Sequence, residues 1–174
     1  QTAAGTTSTL GGPLTNTGTV AVVGGSDLKL LSGSTYTNNG LITLNAPGGG
    51  PFSGLWLSRS PSGDTVTLAG SGSLTMTDSA SNVIFANDTG LSLSNAAGHT
   101  ITGAGRIGEF GQDFSFTNAG TVRADGSAGL TIGQKAAVVN TGTIEAVGGS
   151  PLTFENDVTN TGGTIRADGS AVTF

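Results

Sequence analysis

The chain of 174 residues contains no cysteine and no long apolar run. Without cysteine there is no disulfide framework and no thiolate metal site. No stretch approaches the ~20 apolar residues of a membrane-spanning helix, so membrane insertion is not expected. No signal peptide is present, and the chain begins at Gln1 rather than Met. We therefore expect a mature product or an excised fragment of a larger protein.

Charge is also scarce. Lys and Arg number 6 and Asp and Glu 11, so the formal net charge is −5 and only 10% of the residues are charged. A nucleic-acid partner is not expected, because phosphates need a basic face. The single histidine, His99, cannot build a multi-histidine metal site or a compelling Ser–His–Asp arrangement. The Gly-Gly-x-Gly-x-Asp calcium repeat is missing as well. The sequence thus predicts no cofactor and no metal.

Glycine, by contrast, is abundant, with 31 residues, and much of it belongs to a short repeat. Each copy of this cassette has Asn, one or two small residues, Gly and then a β-branched run. Clear copies begin at Asn16, Asn38, Asn118, Asn140 and Asn160, and a looser copy begins at Asn95. Repetition of this kind is typical of solenoid proteins.

The first apolar residue after each cassette recurs at a nearly constant interval. These residues are Val20, Ile42, Leu74, Ile101, Val122, Ile144 and Ile165. The successive differences are 22, 32, 27, 21, 22 and 21 residues. The two long intervals indicate insertions into the same unit.

Each unit contains three short segments in which apolar and polar residues alternate. The unit from Thr121 has them at 121–124, 130–133 and 137–140. This alternation indicates half-buried strands, and the Gly-containing turns between them are expected to use positive φ. We predict an all-β fold, a parallel β-solenoid with three short strands per coil of about 22 residues and six to seven coils. It would form one domain over residues 1–174.

Two other all-β folds fit less well. A β-sandwich does not require the same turn sequence after every third strand. A propeller blade would need four strands in ~40–50 residues.

The recurring Asn is predicted to lie at a corner of each coil. Its side chain can bond the backbone of the next coil, so that the copies stack into a ladder. A row of ligand-binding amides is the alternative, but the corner pattern favours a structural role. The predicted ladder consists of Asn16, Asn38, Asn95, Asn118, Asn140 and Asn160.

A Pro- and Gly-rich insertion at about residues 46–63 interrupts the repeat and holds the only Trp. As a loop beside the rod it is a candidate binding site through Phe52, Trp56 and Arg59, since aromatic and Arg side chains are frequent in contact surfaces. Alternatively, residues 55–57 form the second strand of their coil and the rest bulges at a corner. The sequence leaves both open.

Arg123, Glu145 and Arg166 occupy the same position in three consecutive units. We expect them to face solvent as a row of ion pairs, each worth under about 1 kcal/mol. A catalytic role would need an acidic cleft, but the earlier units carry uncharged residues at this position. The sequence therefore predicts no catalytic residue and no enzyme.

Segments such as VNTGTIEA, TNTGGTIRADGS and NAAGHTITGAGRIGEF resemble the degenerate repeats of very large secreted bacterial proteins. These are haemagglutinin-like and autotransporter-like surface proteins with right-handed β-helices. The resemblance covers nearly the whole chain outside residues 46–63. It implies a right-handed solenoid and an extracellular or cell-surface location in bacteria, and it carries over no catalytic residue.

The first expectation for function is a structural subunit of an extracellular fibre or cell-surface stalk. It would self-associate head to tail, because the last coil lacks its third strand and both ends would expose unpaired backbone. The alternative is an adhesin module that binds glycan or another cell-surface ligand. A polysaccharide-active enzyme is a distant third.

Overall fold

The computed structural model describes residues 4–48, 50–133 and 135–174. Within these ranges the chain forms strands, turns and loops, with no helix. Consecutive strands enter three different sheets in turn, so that every third strand returns to the same sheet. This connectivity is that of a parallel β-solenoid, as the repeats predict.

Every pairing between named strands is parallel. The first sheet contains β1 (Thr7–Leu10), β4 (Asp27–Leu31), β7 (Ser53–Ser58), β10 (Asn82–Ala86), β13 (Gly105–Gly111), β16 (Leu130–Ile132), β19 (Leu152–Phe154) and β22 (Val172–Thr173). The second contains β2 (Leu14–Asn16), β5 (Ser34–Asn38), β8 (Thr65–Ala69), β11 (Leu91–Asn95), β14 (Phe114–Asn118), β17 (Ala136–Asn140) and β20 (Val158–Asn160). The third contains β3 (Thr19–Val23), β6 (Leu41–Asn45), β9 (Ser73–Met76), β12 (Thr100–Gly103), β15 (Thr121–Ala124), β18 (Thr143–Val147) and β21 (Thr164–Asp168).

Two sheets have seven strands and the first has eight, so the described chain forms seven coils and one additional strand. The three sheets enclose a core of apolar side chains. All seven of the predicted apolar residues, from Val20 to Ile165, are register partners in the third sheet. The five in the middle are buried, and the two outer ones are half-buried. The apolar interval therefore identified the core row correctly, across both insertions.

The predicted insertion contains a strand. Residues Ser53–Ser58 form β7, which pairs with β4 on one side and β10 on the other. Alternation explains this placement, because Leu55 and Leu57 are buried while Trp56 faces outward. Residues 53–58 are therefore part of the sheet rather than a loop, and the irregular parts of the segment lie on either side of β7.

The expected positive φ is found at two of the six cassette glycines, Gly98 and Gly162, but not at Gly18, Gly40, Gly120 or Gly142. At Gly120 and Gly142 the residue serves a different purpose. A Cβ at Gly142 would overlap the carbonyl oxygen of Gly120, and a Cβ at Gly120 would overlap that of His99. Glycine is needed here because consecutive coils approach closely at this corner.

Candidate functional site

The Asn residues of the cassettes end the strands of the second sheet, all at one corner of the coil. Hydrogen bonds join them from one coil to the next. The amide nitrogen Nδ2 of Asn95 donates to Oδ1 of Asn118 at 2.7 Å. Asn118 donates to Asn140, and Asn140 to Asn160, both at 2.8 Å. We call this series of side-chain amides, together with Asn16 and Asn38, the polar row.

Each amide also donates a hydrogen bond to a backbone carbonyl of the following coil. Nδ2 of Asn118 donates to the Thr143 carbonyl at 3.0 Å, and Nδ2 of Asn140 donates to the Thr164 carbonyl at 3.2 Å. Asn95, Asn118 and Asn140 are fully buried. Since buried amides need partners, the row satisfies each Asn while it fixes the spacing of the coils.

The polar row is not continuous through Asn alone. Asn16 donates to Asn38 at 2.7 Å, but the next coil has no Asn at this corner. In β8 the register partner of Tyr36 is Leu68, which places Gly70 opposite Asn38. Asn95 instead pairs with Leu68. The row therefore consists of two stretches that are offset by two residues along the strand.

His99 joins the two stretches. Its imidazole Nε2 lies 3.2 Å from Nδ2 of Asn38, and its Nδ1 lies 2.7 Å from Oδ1 of Asn95. The side chain is fully buried, and burial lowers the pKa of His99 to about 4. His99 is not among the residues that the repeats predict for the row. The one sequence feature that could have indicated its role is the absence of an Asn cassette between Asn38 and Asn95, which leaves a gap in the row for another polar side chain.

The structure brings Phe52 and Trp56 together with two residues that the sequence did not single out, Phe85 and Phe110. The ring centroids of Phe52 and Phe110 are 5.2 Å apart, and those of Trp56 and Phe85 are 5.1 Å apart. These four side chains, with Pro51, Val83, Gly25 and Asp27, line a groove of about 330 Å³ on the outer face of the first sheet. We call it the aromatic groove.

Trp56 is held in place from several sides. The ammonium group of Lys29, its register partner in β4, lies 5.7 Å from the ring centroid. Gly54 leaves room for the indole, because a Cβ there would crowd both Trp56 Nε1 and Asp27 Oδ1. The buried indole N–H lies beside the Asp27 carboxylate without reaching good hydrogen-bond geometry. Burial raises the pKa of Asp27, and the approach of Trp56 partly offsets this rise.

Arg59 does not belong to the aromatic groove. It follows β7, forms an ion pair with Asp64, and its backbone N–H donates to Oδ2 of Asp88 at 2.8 Å. The structure therefore separates the three predicted binding residues into two places. Phe52 and Trp56 share the groove, whereas Arg59 braces the turn that leads to β8.

The row of Arg123, Glu145 and Arg166 has the predicted register. Its exposure differs from the expectation, because the Glu145 side chain is only 6% exposed. Arg166 covers it with a hydrogen bond of 2.7 Å from Nε, and Nη1 of Arg123 lies 3.6 Å away on the other side. Glu145 points outward, but the two longer side chains shield it from water.

Among the described residues, no group of three or more His, Cys, Asp or Glu side chains is arranged to hold a metal ion. Nor does this part of the chain contain a helix that is long and apolar enough to cross a membrane. No protein-family model, curated protein or solved structure matches the chain.

Proposed function

We propose that this chain is a rigid rod segment and serves as a structural subunit of an extracellular bacterial fibre or cell-surface stalk. The observation that carries this proposal is the continuity of the three sheets through the stack. All three sheets run through every described coil, and the apolar row from Val20 to Ile165 continues through the whole third sheet. Such a stack can be lengthened coil by coil without a change in its three-sheet architecture, which suits a spacer.

The resemblance of the repeats supports the same proposal. They resemble those of haemagglutinin-like and autotransporter-like surface proteins, which are large and secreted. The parallel β-solenoid is compatible with β-helix repeat proteins in general. On this proposal the protein acts outside the cell, and its role is mechanical rather than catalytic.

Growth of the rod requires a further coil on the outermost strands, supplied by the same polypeptide or by a second copy. The backbone of β22 supports such pairing, because it has hydrogen-bonding groups that β19 does not use. The Leu152 N–H donates to the Ala171 carbonyl, so the parallel pattern directs the N–H of Val172 away from β19. Because the two end faces of a solenoid differ, contact between copies would be head to tail and open-ended.

Sedimentation velocity over a concentration series tests this assembly. We expect species that lengthen with concentration. Val172→Pro removes the outward N–H and should abolish lengthening, whereas Val172→Ala keeps the N–H and should preserve it. A chain that stays monomeric throughout, or one that lengthens equally with both variants, would overturn head-to-tail pairing at this edge.

The aromatic groove favours a second candidate function, an adhesin module that binds glycan. Its volume of about 330 Å³ lies at the lower end of the range for small-molecule sites. Phe52 and Phe110 are 50% and 40% exposed, although they are large and apolar. Exposed aromatic rings offer flat apolar faces, and the Asp27 carboxylate at the groove can accept hydrogen bonds from hydroxyl groups.

The charges beside the groove favour a neutral ligand. A cation would meet Lys29, which already lies over Trp56, and an anion would meet Asp27. A neutral sugar ring is repelled by neither Lys29 nor Asp27. Its C–H faces can pack on the aromatic rings, and its hydroxyl groups can donate to the carboxylate. We therefore assign the groove to a neutral pyranose unit of a glycan.

A glycan array with the purified chain tests this second function. Phe52→Ala and Phe110→Ala should each abolish binding to neutral glycans without loss of the fold, because both rings are largely exposed. Val139→Ala removes an equally exposed apolar side chain on a different sheet and should leave binding unchanged. No binding by the unaltered chain, or equal loss with the Val139 control, would exclude the groove as a glycan site and leave the rod proposal intact.

A further inference from the structure

The hydrogen bonds that His99 makes in the polar row depend on which of its two ring nitrogens carries the proton. Asn38 fixes one side of this arrangement. Its Oδ1 accepts from Asn16, and its Nδ2 donates to the Ser73 carbonyl at 2.9 Å. Turning the amide over would place oxygen against the Ser73 oxygen and nitrogen against the Asn16 nitrogen. Asn38 therefore presents a donor to His99.

Asn95 fixes the other side. Its Nδ2 donates to Oδ1 of Asn118 at 2.7 Å and to the Thr121 carbonyl at 3.2 Å, so its Oδ1 faces His99. The ring must then accept at Nε2 from Asn38 and donate from Nδ1 to Asn95. A single neutral tautomer of His99 continues the direction of donation that runs through the whole row.

We propose that His99 is an acid-sensitive link in the rod, which joins the two stretches of the polar row only as the neutral imidazole and opens this corner when it is protonated. An imidazolium carries N–H on both nitrogens. The added N–H on Nε2 would point at the Nδ2 donor of Asn38. The hydrogen bond between these two atoms would then be replaced by two opposed donors. The amides of the row cannot all turn over without opposing the backbone carbonyls that fix them.

Among the described residues around His99, no charged group is placed to stabilise the imidazolium. His99 packs against the turns at residues 38–41, 69–73 and 118–121 and lies within the turn at 95–100, and none of these contains Asp, Glu, Lys or Arg. The strands β5, β8, β11 and β14 that enter these turns carry no charge either, nor do β6, β9 and β12 that leave them. Of the strands that leave these turns, only β15 carries a charge, Arg123, which is exposed.

The pH range follows from the difference between the folded and unfolded states. Burial lowers the pKa of His99 from 6.5 to about 4 in the folded chain. The unfolded chain therefore takes up a proton first as the pH falls. The stability that this group contributes is fully present above pH 6.5 and is lost progressively between pH 6.5 and about 4.

NMR titration of the imidazole tests the link directly, because His99 is the only histidine. We expect one neutral tautomer with the proton on Nδ1 and a titration well below pH 6.5. Protection of the Thr121 amide, which donates to the His99 carbonyl, should fall over the same pH range after correction for intrinsic exchange. The matched control is the Thr143 amide, which donates to Gly120 one coil further on and should stay protected.

The variant His99→Gln separates the effect of His99 protonation on stability from that of carboxylate protonation, which also occurs in acid. The melting temperature of the unaltered chain should fall further between pH 7 and pH 4.5 than that of His99→Gln, which cannot protonate. Equal falls in both chains would overturn the proposal. If His99→Gln does not fold, the NMR titration decides alone, and an imidazole that titrates near 6.5 with Thr121 still protected would contradict the link.

Discussion

Two regions of the same solenoid differ in how regularly they are built. In the C-terminal coils, residues 91–168, the Asn residues of the polar row are spaced by 23, 22 and 20 residues and bond one another directly. In the middle coils, residues 39–90, the cassette is missing, β7 lies within an insertion, and the row has no Asn of its own. The apolar row nevertheless passes through both regions in register.

The difference shows which interaction sets the architecture. Ile42, Leu74 and Ile101 are aligned although 32 and 27 residues separate them along the chain. The polar row is interrupted over the same stretch and is completed by a side chain from a turn. We infer that burial of the apolar row determines the stacking and that the polar row adds specificity at one corner.

The largest expected effect is the loss of folding when a charge enters the apolar row. Leu74→Asp in the middle coils and Ile144→Asp in the C-terminal coils each bury an unpaired carboxylate at a fully buried position. Both should abolish the cooperative transition in urea unfolding, followed by circular dichroism. A folded Leu74→Asp chain beside an unfolded Ile144→Asp chain would show that the apolar row does not hold the middle coils.

The next effect concerns the junction of the two regions. Gly103 has φ of 114°, and a Cβ there would overlap the carbonyl of Met76, its register partner in the middle coils. In the C-terminal coils the aligned residue is Ala124. Gly103→Ala should cost about 2–4 kcal/mol in the free energy of unfolding, through backbone strain and overpacking.

Ala124→Gly is the converse change and should cost only about 1 kcal/mol, from the added freedom of the unfolded chain and the lost methyl group. Urea denaturation measures both. Equal costs would mean that the close approach at Gly103 is relaxed in solution.

A smaller effect is expected within the polar row. Asn140→Ala removes a buried amide that links Asn118 to Asn160 and should cost about 1–3 kcal/mol, because Asn118 loses its acceptor. Asn87→Ala, at an exposed position, should change the free energy of unfolding by close to zero. Indistinguishable values for the two variants would count against a row that contributes to stability.

The smallest effect is expected on the outer face of the C-terminal coils. Glu145→Ala should cost about 1 kcal/mol, because the carboxylate has Arg partners on both sides, yet both partners can be solvated when it is gone. Glu155→Ala, at an exposed position, should cost less. Urea unfolding at low and high salt measures both, and a Glu145 effect no larger than that of Glu155 would show that the shielding is ineffective.

The sequence predicts the sheets and the core row because both depend on local alternation and on a repeat that survives insertion. The positions of Val20 through Ile165 could be read from the interval alone. The burial of Glu145 could not, because it depends on how two Arg side chains fold back over the carboxylate.

The two sites were harder to predict for a related reason. Phe85 and Phe110 are far from Trp56 along the chain, and they reach the groove only through the register of β7, β10 and β13. His99 bridges two coils because the stretches of the polar row are offset by two residues. Both contacts depend on the register between strands on either side of an insertion. That register cannot be read from the sequence alone, because the sequence does not give the path of the inserted residues.

We propose above that the stacked coils themselves, extended end to end, carry the function of the protein. X-ray diffraction from an oriented, concentrated sample tests it most directly, since end-to-end stacking places the strands perpendicular to the fibre axis. We predict a meridional reflection at about 4.8 Å, the spacing of neighbouring strands. Fibres with that reflection on the equator, or a sample that forms no oriented assembly at any concentration, would contradict the claim.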